Sequence, residues 1–169
     1  FTDDGYCSEG LGYFAYGFGH YIILREKILQ ATGNALDLFS DEKIRKIAAY
    51  APNMEIMNNI YPSIADCRTG TKAPDDILWY CSRNLGLGLE KYDTLSVKGS
   101  PGNLVSGLMY ASPNSASRSK AATGNAKSAS GIRSDFNYAG VLIVRPVVGT
   151  DCNIAAALKG GNNNEHHNH

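Results

Sequence analysis

The chain has 169 residues, 43% apolar and 19% charged, a balance that suits one good core or the abutting parts of two domains and excludes a disordered polymer. Its 16 basic and 16 acidic side chains cancel to a formal net charge of zero, so no long-range field draws in nucleic acid or an acidic membrane surface. No run approaches the roughly 20 continuous apolar residues that cross a bilayer.

Asp3 to Gly12 is polar and Gly-rich and leads into the aromatic block Tyr13, Phe14, Tyr16, Phe18 and Tyr21. From Leu11 to Ala31 apolar residues return every three or four positions, which predicts a helix that stops near Gly33. Ser40, with Asp41 and Glu42 behind it, is the expected N-cap of a second helix carrying Ile44, Ile47, Ala48 and Ala51, interrupted by Pro52. Met54 to Ile60 is expected to add a further helical turn or two. Residues 62–74 are expected to form a loop. Pro74-Asp75-Asp76 then has the chemistry of a helix start, with Ile77, Leu78, Cys81 and Leu85 as its buried stripe. Leu104, Val105, Leu108 and Met109 suggest one more short helix.

From Ser112 to Ser134 the chain turns to Ser, Ala, Asn, Lys and Arg, with Ile132 its only large aliphatic, and is expected to be a linker or mobile loop. Phe136 to Val148 is β-branched and aromatic, and Asn153 to Leu158 is a second apolar run. Both predict strands, separated by a turn around Gly149-Thr150-Asp151. Helices first and strands later make an α+β chain. Its expected divisions are a helical part at 1–111, a joint at 112–134 and a β part at 135–169. The four cysteines, Cys7, Cys67, Cys81 and Cys152, form no CxxC pair. They are expected to be mainly buried thiols, with a Cys67–Cys81 disulfide left open.

Two stretches carry candidate chemistry. In the terminal run Lys159-Gly160-Gly161-Asn162-Asn163-Asn164-Glu165-His166-His167-Asn168-His169, a strand would place His167 and His169 on one face, half of a transition-metal site. Taken alone, the run equally suits a solvated tail. Near the start, Tyr13, Tyr16 and His20 fall on one helical face, with Glu9 just ahead of the helix. Phenol, imidazole and carboxylate suit proton transfer or sugar binding, and the same spacing also suits an aromatic core stripe.

Together these stretches resemble the heparinase II/III-like polysaccharide lyases. Asp4-Gly5-Tyr6-Cys7-Ser8-Glu9-Gly10-Leu11-Gly12-Tyr13 is similar to that family's D-G-x-x-x-E-G-x-x-Y segment. Ala139-Gly140-Val141-Leu142-Ile143-Val144-Arg145 resembles its G-x-x-x-x-R strand, and the terminal run resembles K-G-G-x-N-x-E-x-H-N-H. The matched positions lie towards the two ends of the chain. The resemblance implies the C-terminal part of an (α/α) toroid followed by the first strands of an antiparallel β-sandwich, cut at both ends. It implies β-elimination on a uronic-acid polysaccharide such as heparan sulfate or alginate. Tyr13 would deliver a proton to the leaving oxygen, and His167 would act at the carboxylate side. Glu9, Tyr16 and Asn168 would contact substrate, and His169 would ligate a structural zinc.

The implied partner is an acidic polysaccharide or oligosaccharide, with neither nucleic acid nor membrane. The resemblance also leaves room for a homodimeric parent and implies a periplasmic or secreted one, although no signal peptide is visible at the start of the chain. Further catalytic and metal residues are expected beyond both ends, so the isolated chain is expected to bind zinc weakly and to turn over little substrate. The alternatives are a non-catalytic carbohydrate-binding or scaffold protein of the same fold, or an unrelated helical domain with a metal-binding tail.

Overall fold

The computed structural model describes residues 1–89, 131–147, 149–161 and 167. The expected helix at 104–109, residues 112–130 of the joint expected at 112–134 and two candidate site residues, Asn168 and His169, lie outside them. The fold is α+β: helices α1 (Leu11–Ala31), α2 (Glu42–Ala48), α3 (Tyr50–Met54) and α4 (Asp75–Leu85) precede a three-stranded sheet. Strands β1 (Arg133–Phe136), β2 (Val141–Val144) and β3 (Ala156–Lys159) lie in that order, each antiparallel to the next.

Helix α1 has the predicted bounds because Leu11, Phe14, Phe18, Ile22, Arg25 and Leu29 fall on one buried face at intervals of three and four. It ends where the chain turns left-handed at Gly33 and Asn34, letting the Asn34 N–H donate to the Leu29 carbonyl at 2.8 Å. The second helix starts one residue later than expected. Its cap is Asp41, whose carboxylate accepts from the Lys43 N–H at 2.8 Å, while Ser40 closes a short 3-10 turn at Leu38–Ser40. Pro52 does not end the helical region. It sits in the first turn of α3, where its missing N–H would have had no partner within that helix.

The helical turn expected at Met54 to Ile60 is absent. Asn58 and Asn59 both adopt positive φ (51° and 61°), and Met57 pairs with Ile60 in an isolated antiparallel bridge. That is a tight reversal of the kind Asn favours, because its short side chain tolerates the left-handed region. Strand β1 begins at Arg133, inside the segment expected to be a joint. Two short strands about a turn at 137–140 replace the single long one expected from Phe136, and β3 starts three residues after the expected Asn153.

Helices and sheet share one core. Phe136 packs against Tyr6 and Tyr50 at centroid distances of 5.3 and 5.7 Å, and Val141 and Ile143 are buried with Phe14, Phe18 and Tyr80. Each such side chain contributes about 1.5–3 kcal/mol on burial. The sheet is tied to the N-terminal loop by the Tyr138 N–H, which donates to Asp4 Oδ2 at 3.1 Å. Gly140 holds φ at +61°, and a Cβ there would lie 2.8 Å from the Gly161 nitrogen. The close approach lets the Gly160 N–H reach the Gly140 carbonyl at 2.8 Å and extends the β2–β3 pairing towards the chain end.

All four cysteines are free, so no Cys67–Cys81 disulfide forms; Cys7 and Cys81 are buried, Cys67 is partly covered and Cys152 is exposed. Burial pushes the Cys81 thiol well above its ordinary value. Burial, with the Glu26 carboxylate, does the same to Tyr80, and burial with Glu55 and Asp75 raises Tyr61. An unfolded chain would ionise the thiol from about pH 8.5 and the phenols from about pH 10, whereas the folded chain keeps them neutral. The folded state therefore holds more protons at alkaline pH. This part of the stability is complete below about pH 8.5 and is lost as pH rises further. Urea midpoints compared at about pH 8 and about pH 10.5 should fall at the higher value, and equal midpoints would contradict this linkage.

Candidate active site around His167

The candidate site begins at the turn that launches α1. Glu9 is followed by Gly10, the N-cap residue, which is buried at φ +88°. A Cβ on Gly10 would lie 3.0 Å from the Ile64 carbonyl oxygen and 3.1 Å from Cys67 Cβ. The bare α-carbon is what lets the loop carrying residues 64–67 pack onto the start of α1. Gly10→Ala forces a side chain into both a left-handed backbone and that loop. It should lower stability by about 1–3 kcal/mol, read as a drop in the urea midpoint; an unchanged midpoint would show that the loop does not depend on this contact.

The docked loop brings Asp66 to His167. Asp66 Oδ2 lies 2.6 Å from His167 Nδ1, and Glu9 Oε1 lies 3.9 Å from Nε2 of the same ring. The imidazole is 26% exposed and Asp66 28% exposed, so the pair is partly shielded from water. At 2.6 Å the carboxylate oxygen accepts from the ring, which puts a proton on Nδ1.

Of the residues expected from sequence, Glu9 and His167 are brought together from opposite ends of the chain. Tyr13 and Tyr16 are not a core stripe: they are 51% and 69% exposed on α1. Tyr13 makes no hydrogen bond among the described residues. Tyr16 stands against His20, ring centroids 4.5 Å apart, and His20 Nδ1 is 2.7 Å from the Tyr16 carbonyl oxygen. That ring pair is an exposed, partly polar surface. Asp66 was missed, because a single Asp in a polar loop between Pro62 and Pro74 carries no local signal of a contact made a hundred residues away. Among the described residues no group of three His, Cys, Asp or Glu side chains is placed to hold a metal; His169, the implied zinc ligand, is not among them.

Compared with models of known protein families and with curated proteins, the chain matches none of them.

Proposed function

We propose that this chain is part of a polysaccharide lyase of the heparinase II/III-like kind, its helices belonging to an (α/α) toroid and its sheet to a β-sandwich. The observation that carries the reading is the meeting of the two motifs. Glu9, from the segment resembling D-G-x-x-x-E-G-x-x-Y, lies 3.9 Å from His167, the first His of the segment resembling H-N-H. Motifs with separate structural roles have no need to converge from opposite ends of a chain.

The reaction would be elimination on a uronate. The C–H bond beside the sugar carboxylate breaks, a carbon–carbon double bond forms, and the bond to the glycosidic oxygen breaks as that oxygen gains a proton. In this reading Nε2 of His167 works at the carboxylate side, removing the proton next to the carboxylate, and the exposed phenol of Tyr13 protonates the departing oxygen. Solvent then returns the proton to Tyr13 and takes one from His167. Tyr16 with His20 offers a stacking surface further along α1, and His169 would ligate a structural zinc that takes no part in these steps.

The test is an ultraviolet assay for unsaturated uronate on the full-length gene product carrying this chain, with a panel of acidic polysaccharides. A rise with one glycan should drop by about 100-fold or more in Tyr13→Phe and in His167→Ala, the range expected for loss of a positioned acid or base. A flat trace across the panel with folded protein would favour a non-catalytic carbohydrate-binding scaffold.

A further inference from the structure

We infer that Asp66 is a positioning residue: it fixes the tautomer and orientation of His167, so that Nε2 faces the reacting sugar. The inference rests on the lyase reading for its catalytic consequence, although its structural part does not. Three observations carry it. Asp66 Oδ2 to His167 Nδ1 is 2.6 Å, a charge-assisted contact shorter than an ordinary N–H···O bond. The residue before it, Ala65, is held at φ +59°, a left-handed conformation that costs a non-glycine residue about 1 kcal/mol or more and persists only where the surroundings impose it. The loop is also seated on Gly10, next to Glu9, so the carboxylate is presented from a docked segment.

The physical consequence is specific. A free imidazole favours the tautomer with its proton on Nε2, which would leave that nitrogen unable to accept a proton. A carboxylate at Nδ1 reverses the preference and holds the lone pair on Nε2. Asp66 itself touches no substrate in this scheme. Glu9 Oε1 lies 3.9 Å from Nε2, longer than a hydrogen bond.

The experiment uses the full-length gene product labelled with nitrogen-15 in its histidines, and assigns His167 by comparison with His167→Gln. Imidazole nitrogen shifts above the pH at which the ring is neutral should report the Nδ1–H form in the wild type. They should move to the Nε2–H form in Asp66→Ala and stay near the wild-type pattern in Asp66→Glu. Turnover should fall on the order of 100-fold in Asp66→Ala with KM nearly unchanged, and recover in part in Asp66→Glu. An unchanged tautomer in a folded Asp66→Ala protein overturns the inference, as does a loss confined to KM. If wild type cleaves no acidic glycan, the lyase reading fails, and the nitrogen shifts alone still decide whether Asp66 sets the tautomer.

Discussion

Replacing Arg25 with Met should cost about 3–5 kcal/mol of folding stability, the range for breaking a buried ionic network on one side. Arg25 is 1% exposed in the middle of the buried face of α1. Its guanidinium meets Asp37 in a two-pronged contact, Nε to Oδ1 at 2.6 Å and a terminal nitrogen to Oδ2 at 2.9 Å. It also donates to the Tyr80 hydroxyl, to Glu26 Oε1 at 3.2 Å and to Asn84 Oδ1 at 3.3 Å, and it lies 4.1 Å over the Phe39 ring. Burial opposes the charge, but Asp37 and Tyr80 hold the guanidinium above its ordinary value.

Met fills much of the same volume, so the loss is electrostatic more than a cavity effect. What remains is Glu26, a buried carboxylate whose Oε2 already has no hydrogen-bond partner among the described residues. The double variant Arg25→Met, Glu26→Gln should therefore recover part of the loss. Urea unfolding of the three proteins checks both statements; an Arg25→Met midpoint equal to wild type would show that the network contributes nothing.

The second large effect belongs to Arg145, which ties the sheet to the helical part. Its Nε donates to the Glu55 carbonyl at 2.6 Å, and one terminal nitrogen donates to the Asn53 carbonyl at 2.7 Å. The other donates to the Gly131 carbonyl and to the Ser134 hydroxyl, both at 2.9 Å. Burial pulls the guanidinium below its ordinary value, with the Glu55 charge only partly opposing this. Three carbonyls in two segments, Asn53 with Glu55 and Gly131, need donors spread over a planar fork, and a lysine ammonium cannot reach all of them. Hydrogen bonds from a charged donor contribute about 1.5–3 kcal/mol each, so Arg145→Lys should lose about 2–3 kcal/mol and Arg145→Ala more. Hydrogen exchange should rise first in β1 and β2 and only later in α1. Uniform acceleration across the chain would mean that Arg145 supports the whole core and not this joint.

The parts of the fold that were legible in sequence are those built from local contacts. The apolar spacing from Leu11 to Leu29 and the turn at Gly33 define α1 without help from the rest of the chain. Pro74-Asp75-Asp76 likewise starts α4 at the expected place. Strand β1 was hidden because Arg133-Ser134-Asp135-Phe136 has one large apolar residue in four. It becomes a strand by pairing Ser134 with Ile143 and Phe136 with Val141, contacts no short window contains. The Asn58-Asn59 reversal had a usable signal, two successive residues tolerant of positive φ, which the neighbouring Met54, Ile56 and Ile60 obscured.

The candidate site divides in the same way. Glu9 and His167 stand in recognisable local strings, but their approach is a contact between the two ends of the chain, which no short window contains. Asp66 depends on a loop docked at Gly10, and nothing near it in sequence announces that contact.

The most direct test of the central claim is the identity of the bond-breaking step. An acidic polysaccharide cleaved by the full-length gene product can be digested in water enriched in heavy oxygen and its ends weighed by mass spectrometry. Elimination predicts fragments with an unsaturated terminal uronate and no oxygen taken from water, their formation lost in Tyr13→Phe and His167→Ala. Saturated ends carrying the heavy oxygen, or intact polymer after incubation with folded protein, would contradict it.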